Sequence, residues 1–275
     1  MSECKRKIIY VVGLSHSGST VLDMLLTTSG RAVGLGQVWT VLREDLQRSR
    51  ARQCSCGASA TDCKFWGRVL DRLSQLPVSA SGQGRYQIVL ETIDRLYGPD
   101  VAIIDSSKHA EHLATLMRIP NVAVAVLHNM KDVRPFTIST LDNNARKGHG
   151  RALPEKIFYQ WYRDNRASYD LAGRSLGRPP IRVMYEGLCL STDAVAARLA
   201  ANLGEDYIDV SAALNCGQTH MIAGNRLRLP ETGKLTRLAY DYRWLVRREW
   251  LRPYVLMPMV RKYNEQCLRE FGNVL

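Results

Sequence analysis

Four short runs of apolar and β-branched residues recur along the chain, and each has about the length of a strand. They span residues 8–12, 101–104, 122–127 and 181–184. Both faces of each run are apolar, which is typical of parallel strands covered on both sides. Helical patterns lie between the runs, at 20–26, 86–97, 154–172 and 192–203. This alternation predicts an α/β fold: a doubly wound, mostly parallel central sheet flanked by helices.

Two longer segments carry helical patterns outside this alternation. Residues 40–98 predict a mostly helical insertion with a break at 79–84, and residues 235–275 predict an aromatic, basic, helical C-terminal segment. Residues 141–152 are polar and contain glycine, which predicts a loop. A chain of 275 residues is long enough for one large domain, and we expect a single domain spanning 1–275.

The charge balance favours an anionic partner. Lys and Arg number 38 against 26 Asp and Glu, which gives a formal net charge of +12. Nucleic acid, an acidic membrane surface and a phosphate-rich small ligand all fit such an excess. No apolar run approaches the roughly 18–20 residues that a membrane span needs, and no signal-peptide cleavage pattern follows residues 8–12. We therefore expect a cytoplasmic protein without membrane insertion.

The loop after the first apolar run has the spacing of a phosphate-binding loop. It reads Gly13-Leu-Ser-His-Ser-Gly18-Ser19-Thr20 and fits G-x-x-x-x-G-K-[ST], except that Ser19 replaces the lysine. Backbone N–H groups in such a loop can point at a phosphate. Because the lysine that reaches the β and γ phosphates is missing, the loop is poorly equipped for ATP or GTP hydrolysis. A glycine-serine turn with a capping side chain is the alternative.

A second loop follows the run at 122–127. It places Lys131 just after the strand and Ser139 eight residues later in a predicted helix. A cation in a loop and a hydroxyl two turns along a helix can converge on one phosphate. An exposed lysine and a serine on a helix surface are the alternative, so the pair alone is weak evidence.

Together the two loops resemble the sulfotransferase superfamily that uses 3′-phosphoadenosine 5′-phosphosulfate (PAPS). In that family an element similar to R-S-G-[ST]-T cradles the 5′-phosphosulfate, and one similar to R-D-P-R-x-x-x-x-S binds the 3′-phosphate through its first Arg and last Ser. The chain reads His16-Ser17-Gly18-Ser19-Thr20 and Lys131-Asp-Val-Arg134-Pro-Phe-Thr-Ile-Ser139. His16 stands where the family usually has Arg or Lys, and it is charged only when protonated. Lys131 stands where Arg is usual and lacks the bidentate guanidinium.

Further segments are similar to the bacterial branch of the family, and the resemblance extends from residue 7 to about 250. They read Ile104-Asp105-Ser106-Ser107-Lys108, Tyr185-Glu186-x-Leu188, His220-x-x-x-Gly224-Asn225-x-x-Arg228, Asp241-x-x-Trp244, and Cys54-x-Cys56-Gly57 with Cys63-x-Phe65-Trp66. The resemblance implies that the loop containing Gly224, Asn225 and Arg228 closes over the nucleotide, with Arg228 near a phosphate.

The resemblance also implies a reaction. A sulfonate group would pass in line from PAPS to a hydroxyl or amine of a small-molecule, glycan or lipid acceptor, leaving adenosine 3′,5′-bisphosphate. Two alternatives remain open: a small-molecule P-loop kinase, against which the missing lysine speaks, and a non-catalytic basic protein that binds nucleic acid. We see no recognisable nucleic-acid-binding module and expect no nucleic-acid partner. The sequence names neither the acceptor nor the oligomeric state.

The catalytic base is less obvious from the sequence. Relatives often have a Gly-Glu step about twenty residues after the phosphate loop, but here the step ends in Gln37, whose neutral amide cannot act as a base. Asp105, Lys108 and His109 follow a central apolar run, so their side chains should lie where ligands bind in such sheets. We expect Lys108 to stabilise the bridging oxygen and Asp105 or His109 to accept the proton. His16 is a third candidate, and for Asp105 a helix cap or a partner for Lys108 is the alternative.

The seven cysteines are an odd number, which argues against a complete disulfide framework. Three of them, Cys54, Cys56 and Cys63, lie close in sequence. Their spacing is not common in structural zinc sites, and no fourth ligand lies nearby in the sequence. Packed thiols or a local disulfide are therefore favoured over zinc, and we expect no metal.

Overall fold

A five-stranded parallel sheet forms the centre of the protein. The structure is a computed structural model that describes residues 5–77, 79–150, 152–229 and 236–272. The strand order is β2-β3-β1-β4-β5, and every neighbouring pair is parallel. The strands are β1 (Arg6–Gly13), β2 (Ala32–Gly36), β3 (Ala102–Lys108), β4 (Val122–Met130) and β5 (Ile181–Met184). This confirms the predicted doubly wound α/β class.

Helices connect the strands and cover both faces of the sheet. Their bounds are α1 (Ser19–Leu25), α2 (Val38–Arg43), α3 (Leu46–Arg50), α4 (Trp66–Ser74), α5 (Gly82–Tyr97), α6 (Leu113–Leu116), α7 (Val133–Arg146), α8 (Pro154–Leu176), α9 (Tyr185–Leu190), α10 (Thr192–Leu203), α11 (Leu251–Leu256) and α12 (Pro258–Phe271). Within the described ranges, none of the helices is both long and apolar enough to cross a bilayer.

The core consists of two layers, one on each side of the sheet. Successive side chains of β1 point to opposite faces, as the period of a strand requires. Ile8 and Tyr10 pack against the helices that follow β2, whereas Ile9 and Val11 pack against α1 and α10. A third apolar cluster, formed by α7, α8 and α12, lies beside the end of β4.

One strand was not predicted. Strand β2 has only five residues, and two of them are glycines. Apolar patterning could not reveal it, because its stability comes from parallel pairing with β3 and from complete burial. Gly34 is required there: a Cβ at this position would lie 2.3 Å from a carboxylate oxygen of Asp23.

Two predicted segments differ from the structure. Residues 141–146 are helical rather than a loop, since Leu141 packs beside the α8–α12 cluster and α7 continues to Arg146. Residues 236–250 contain a short 3-10 helix, Tyr242–Val246, and no α-helix, because their aromatic side chains pack around Arg134 instead. Residue 78 of the predicted insertion, residue 151 of the predicted loop, and residues 235 and 273–275 of the predicted C-terminal segment lie outside the described residues.

Candidate active site

The predicted phosphate-binding loop, residues 13–20 and called here the phosphate loop, joins the carboxyl end of β1 to α1, and two glycines permit its path. A Cβ at Gly13 would lie 2.3 Å from the carbonyl oxygen of Asn129, and a Cβ at Gly18 would lie 2.4 Å from the Tyr185 ring. Both glycines have positive φ, as does His16 between them. The Asn129 amide donates to the carbonyl of Ser17 at 2.8 Å. The loop is therefore held tightly against the end of β4.

A cavity of about 360 Å³ lies on one side of this loop and is called here the Lys131 cavity. Segments distant in sequence meet in it, and five of the residues predicted from the sequence line it: His16, Gly18, Lys131, Ser139 and Asn225. Residues not predicted as ligands complete its wall, namely Val21, Tyr185, Leu227 and residues 239–243. The fold thus brings the two predicted phosphate-binding loops to one cavity.

Lys131 is held rigidly in this cavity. Its ammonium donates to Asp241 at 2.6 Å and lies 4.7 Å from the centre of the Tyr185 ring. Its carbonyl accepts a hydrogen bond from the indole of Trp161 at 2.9 Å. Burial raises the pKa of Asp241, but hydrogen bonds and charge from Arg243 and Lys131 outweigh burial and lower it to about 2. The carboxylate is therefore ionised at neutral pH.

Three of the motifs quoted from the sequence meet around Lys131, namely those that contain Arg134, Glu186 and Trp244. Asp132 caps α7 by accepting from the Arg134 N–H at 2.8 Å and also pairs with the Arg134 guanidinium. Glu186 accepts from the Asp132 N–H at 3.1 Å. The guanidinium of Arg134 lies 4.0 Å from the centre of the Trp244 ring. These contacts fix the start of α7 and, with it, the positions of Lys131 and Ser139.

His16 is a neutral donor in this setting. Burial, together with the positive charges of Lys108, Lys147 and Lys131, lowers the pKa of His16 to about 4. At neutral pH the imidazole can donate one hydrogen bond, but it supplies no full charge. The positive charge in the Lys131 cavity therefore comes from lysine and arginine.

A second cavity of about 430 Å³ also borders the phosphate loop and is called here the Lys108 cavity. Its lining includes Gly13, Ser15, Gln37, Lys108 and His109, and one wall comes from α8. Lys108 ends β3 with a positive φ of 73°. Burial lowers its pKa to about 8. The cavity thus holds a cation that is close to its titration range at neutral pH.

The two candidate bases lie in different surroundings. His109 is exposed at the Lys108 cavity, and its Nδ1 lies 3.2 Å from a carboxylate oxygen of Glu111. Asp105 is completely buried and is not among the described residues that line the cavity. It accepts hydrogen bonds from the Ser107 N–H and hydroxyl and from the Tyr86 hydroxyl. Asp105 lies deeper because it precedes Ser107 by two residues on the same face of β3.

Burial raises the pKa of Asp105 to about 7. Its partner Ser107 also accepts from the Trp39 N–H at 2.9 Å. The carboxyl therefore fixes the end of β3 against the start of α2, and it lies beneath the edge of the site, where its side chain was expected.

Asp23 is a buried carboxyl that was not predicted from the sequence. It accepts from the Gly36 N–H at 3.1 Å and from the Ser106 hydroxyl at 2.7 Å. Burial raises its pKa to about 7. These bonds join α1 to Gly36, the last residue of β2, and to Ser106 in β3. A single acidic residue in the otherwise apolar run of α1 was the available signal.

The loop that contains Gly224, Asn225 and Arg228 has residues in two different surroundings. Asn225 lines the Lys131 cavity, whereas Arg228 is not among the described residues that do so. The Arg228 guanidinium donates to the carbonyls of Gln53, Met221 and Ile222. Burial lowers the pKa of Arg228. Arg228 therefore holds this loop against the residues around Cys54.

The residues around Cys54 contain a group that could hold a metal. Cys54, Cys56 and Cys63 lie together with His220, which follows Cys63 by 157 residues. The sequence shows no fourth ligand near these cysteines, because the fold supplies His220 from the segment beside β2.

Comparison with known proteins gives matches among solved structures; no family profile and no curated sequence matches the chain. The sulfotransferase domain from the Synechococcus PCC 7002 olefin synthase has a TM-score of 0.50 at 17% identity, and the match covers 94% of this chain and 97% of that domain. The sulfotransferase domain from the curacin biosynthetic pathway has a TM-score of 0.50 at 15% identity, with coverage of 92% and 98%. At these identities the likeness shows the fold.

Proposed function

We propose, from the fold that the chain shares with the sulfotransferase superfamily, that it is a PAPS-dependent sulfotransferase. The acceptor would be a hydroxyl or amine of a small molecule, a glycan or a lipid. An acceptor oxygen or nitrogen attacks the sulfur of PAPS, and the bond from sulfur to the bridging phosphate oxygen breaks. Adenosine 3′,5′-bisphosphate leaves with the electron pair of that bond, and the acceptor loses its proton to a base.

One observation carries this proposal: the phosphate loop forms a wall of two cavities at the carboxyl ends of the strands. His16 and Gly18 face the Lys131 cavity, and Gly13 and Ser15 face the Lys108 cavity. A donor in the Lys131 cavity and an acceptor in the Lys108 cavity would both reach this loop. In-line transfer requires the attacking acceptor atom and the leaving phosphate oxygen to lie on opposite sides of the sulfur, and separate cavities for donor and acceptor are compatible with this.

The Lys131 cavity supplies the chemistry that the 3′-phosphate needs. A buried ammonium and a hydroxyl two turns along α7 can bind one phosphate with charge-assisted hydrogen bonds. The N–H groups and hydroxyls of Ser17, Ser19 and Thr20 would hold the 5′-phosphate end. Asn225 would contact the nucleotide, whereas the contacts of Arg228 support a role in holding the loop.

The Lys108 cavity supplies the chemistry that the transfer needs. The Lys108 ammonium would stabilise negative charge on the bridging oxygen as the bond to sulfur breaks. His109 is exposed at the same cavity and would accept the proton of the acceptor. In this mechanism catalysis consists of positioning and charge neutralisation.

A thermal-shift panel tests the proposal. Stabilisation by adenosine 3′,5′-bisphosphate is expected, and it should exceed that by ATP with magnesium or by oligonucleotides. Formation of adenosine 3′,5′-bisphosphate from PAPS is then measured with pools of hydroxyl and amine acceptors. Preferential stabilisation by ATP with magnesium would support a kinase instead, and preferential stabilisation by oligonucleotides would support a nucleic-acid-binding protein.

A further inference from the structure

Four potential metal ligands converge outside the two cavities. The sulfur atoms of Cys54, Cys56 and Cys63 and a ring nitrogen of His220 all lie within 4.8 Å of one another. His220 Nδ1 is 3.2 Å from the sulfur of Cys63 and 3.9 Å from that of Cys54. Tetrahedral zinc with bonds of about 2.3 Å to sulfur and about 2.0 Å to nitrogen separates neighbouring ligand atoms by roughly 3.5–3.8 Å. The cluster has nearly this size.

The backbone around the first two cysteines turns tightly, so that both thiols reach the same point. The Cys54 N–H donates to the Ala58 carbonyl at 2.9 Å, and the Gly57 N–H donates to the Cys54 carbonyl at 3.0 Å. Gly57 has a φ of +94°, a conformation that side chains disfavour. Cys63 follows just before α4, and its sulfur accepts from the Trp66 N–H at 3.5 Å. The turn and the start of α4 therefore present three sulfur atoms to one side.

Hydrogen bonds to the ring and to the backbone orient His220. Its Nε2 lies 2.5 Å from the Tyr97 hydroxyl, which leaves Nδ1 directed at the sulfur atoms. The backbone N–H of His220 donates to the Gly34 carbonyl at 2.7 Å, and the backbone carbonyl of His220 accepts from the Trp66 indole. Metal-binding histidines commonly have such a partner on the second ring nitrogen, since it fixes the ring orientation.

We propose that Cys54, Cys56, Cys63 and His220 form a structural zinc site. Three thiolates and one imidazole are a ligand set that zinc prefers, and four protein ligands leave no open position for catalysis. A single disulfide within the cluster would use two sulfur atoms and leave the third beside His220 without a role. This proposal departs from the expectation, drawn from the sequence, that no metal binds.

The site joins segments that are distant in the sequence. Residues 218–220 run beside β2, where the Gly34 N–H donates to the Gln218 carbonyl at 2.9 Å. The Ser55 hydroxyl bonds the Thr219 hydroxyl, and the Ser55 N–H donates to the Met221 carbonyl. The chain then continues to Asn225 in the Lys131 cavity. Zinc would fix this segment to the cysteine turn and so set the position of Asn225.

Metal analysis tests the proposal without nucleotide or activity, so its outcome is independent of the proposed reaction. The full chain is purified under reducing conditions without chelator, and zinc is measured by mass spectrometry. One zinc per chain is expected. Replacement by Co²⁺ should give the visible absorption of a tetrahedral site and a thiolate-to-cobalt band in the near ultraviolet. A chelator that removes the zinc should lower the melting temperature.

Two variants and a control make the test specific. Cys56 is exposed, so Cys56→Ser should fold and yet bind zinc at least about tenfold more weakly. Tyr97→Phe removes the partner of His220 and should weaken zinc binding roughly tenfold to 100-fold. Cys216→Ser, at another exposed cysteine, should retain zinc at wild-type affinity.

Three results would overturn the proposal. One is a reduced wild-type chain that binds no zinc when Zn²⁺ is added. Another is a native disulfide within the cluster, detected by peptide mapping without reductant. The third is wild-type zinc affinity in Cys56→Ser.

Discussion

The ammonium of Lys131 lies 2.6 Å from a carboxylate oxygen of Asp241, and the two side chains are only 6% and 10% exposed. Asp241 also accepts from the Arg243 guanidinium through both oxygens. The cation proposed for the 3′-phosphate is therefore already paired with an anion from the C-terminal segment. An incoming phosphate must share Lys131 with Asp241 or displace the carboxylate.

Asp241→Asn should strengthen nucleotide binding. The substitution removes a negative charge beside the proposed 3′-phosphate and leaves Lys131 in place. We expect the affinity for adenosine 3′,5′-bisphosphate to rise about tenfold, the scale of one charge-assisted hydrogen bond, as measured by isothermal titration calorimetry. Asp142→Asn is the control, because Asp142 also pairs with Arg243 but not with Lys131. Weaker binding by Asp241→Asn would mean that the carboxylate orients Lys131 for the ligand.

Lys131→Ala and Ser139→Ala should weaken binding of the 3′-phosphate specifically. A charge-assisted hydrogen bond contributes about 1.5–3 kcal/mol, so the affinity for adenosine 3′,5′-bisphosphate should fall by about one to two orders of magnitude. The affinity for adenosine 5′-monophosphate, which lacks the 3′-phosphate, should change much less. Lys156→Ala removes an exposed lysine that lines neither cavity, as a control. Equal losses for both nucleotides, or no loss for either, would contradict the assignment.

Several residues that line the Lys131 cavity could be predicted, because they lie in short contiguous motifs of the sequence. A strand, a glycine loop and a helix place His16 and Gly18 by local geometry alone, and the eight-residue spacing places Ser139 two turns after Lys131. Parallel strands then bring both loops to the same edge of the sheet. Local pattern and topology together were sufficient there.

Other features were not predictable because they depend on packing between distant segments. The short strand β2 is stabilised by β3 and by the Asp23 carboxylate, not by its own apolar pattern. His220 reaches the cysteines only because residues 218–220 run beside β2. The burial of Asp105 was not predictable for the same reason, because its position within β3 and not its place in the motif decides its exposure.

The rate of transfer should fall as the pH rises above about 8. Burial lowers the pKa of Lys108 to about 8, so its ammonium is present below that pH and is lost above it. If the ammonium stabilises the leaving oxygen, formation of adenosine 3′,5′-bisphosphate from PAPS should decline on the alkaline side. Lys108→Ala should lower the rate strongly, remove this alkaline limb and leave nucleotide affinity nearly unchanged. A rate that rises through pH 8 and depends on Lys108 would identify it as a base instead.

Asp23 should make the folded state less stable as the pH rises from about 4 to about 7. Burial raises its pKa in the folded chain to about 7, whereas the ordinary value is 3.8. The folded state therefore keeps a proton that the unfolded state releases, and the resulting stabilisation is present at low pH and lost through pH 7. Urea unfolding at several pH values should show a smaller loss for Asp23→Asn than for the wild type. Asp62→Asn, at an exposed carboxyl, should follow the wild type; parallel curves for Asp23→Asn and the wild type would refute the prediction.

His109 is the group expected to take the proton of the acceptor. His109 is exposed at the Lys108 cavity, whereas Asp105 is completely buried and bonded to Ser107 and Tyr86. His109→Gln should therefore lower turnover by about 10²-fold, the usual scale for a general base, with little change in nucleotide affinity. Asp105→Asn should retain most of the turnover, and any loss should accompany reduced thermal stability.

Gln37→Glu should partly restore the lost turnover, because Gln37 lines the same cavity and stands where the sulfotransferases that the sequence resembles often have Glu. Gln37→Glu adds a carboxylate there, so it should restore part of the turnover lost in His109→Gln when the two substitutions are combined. Gln37→Ala is the matched control, which changes the same side chain without adding a base. Near-normal rates in both His109→Gln and Asp105→Asn across pH, together with loss of activity in Gln37→Ala, would show that the base lies outside this segment. The Gln37 amide would then be the group that positions the acceptor.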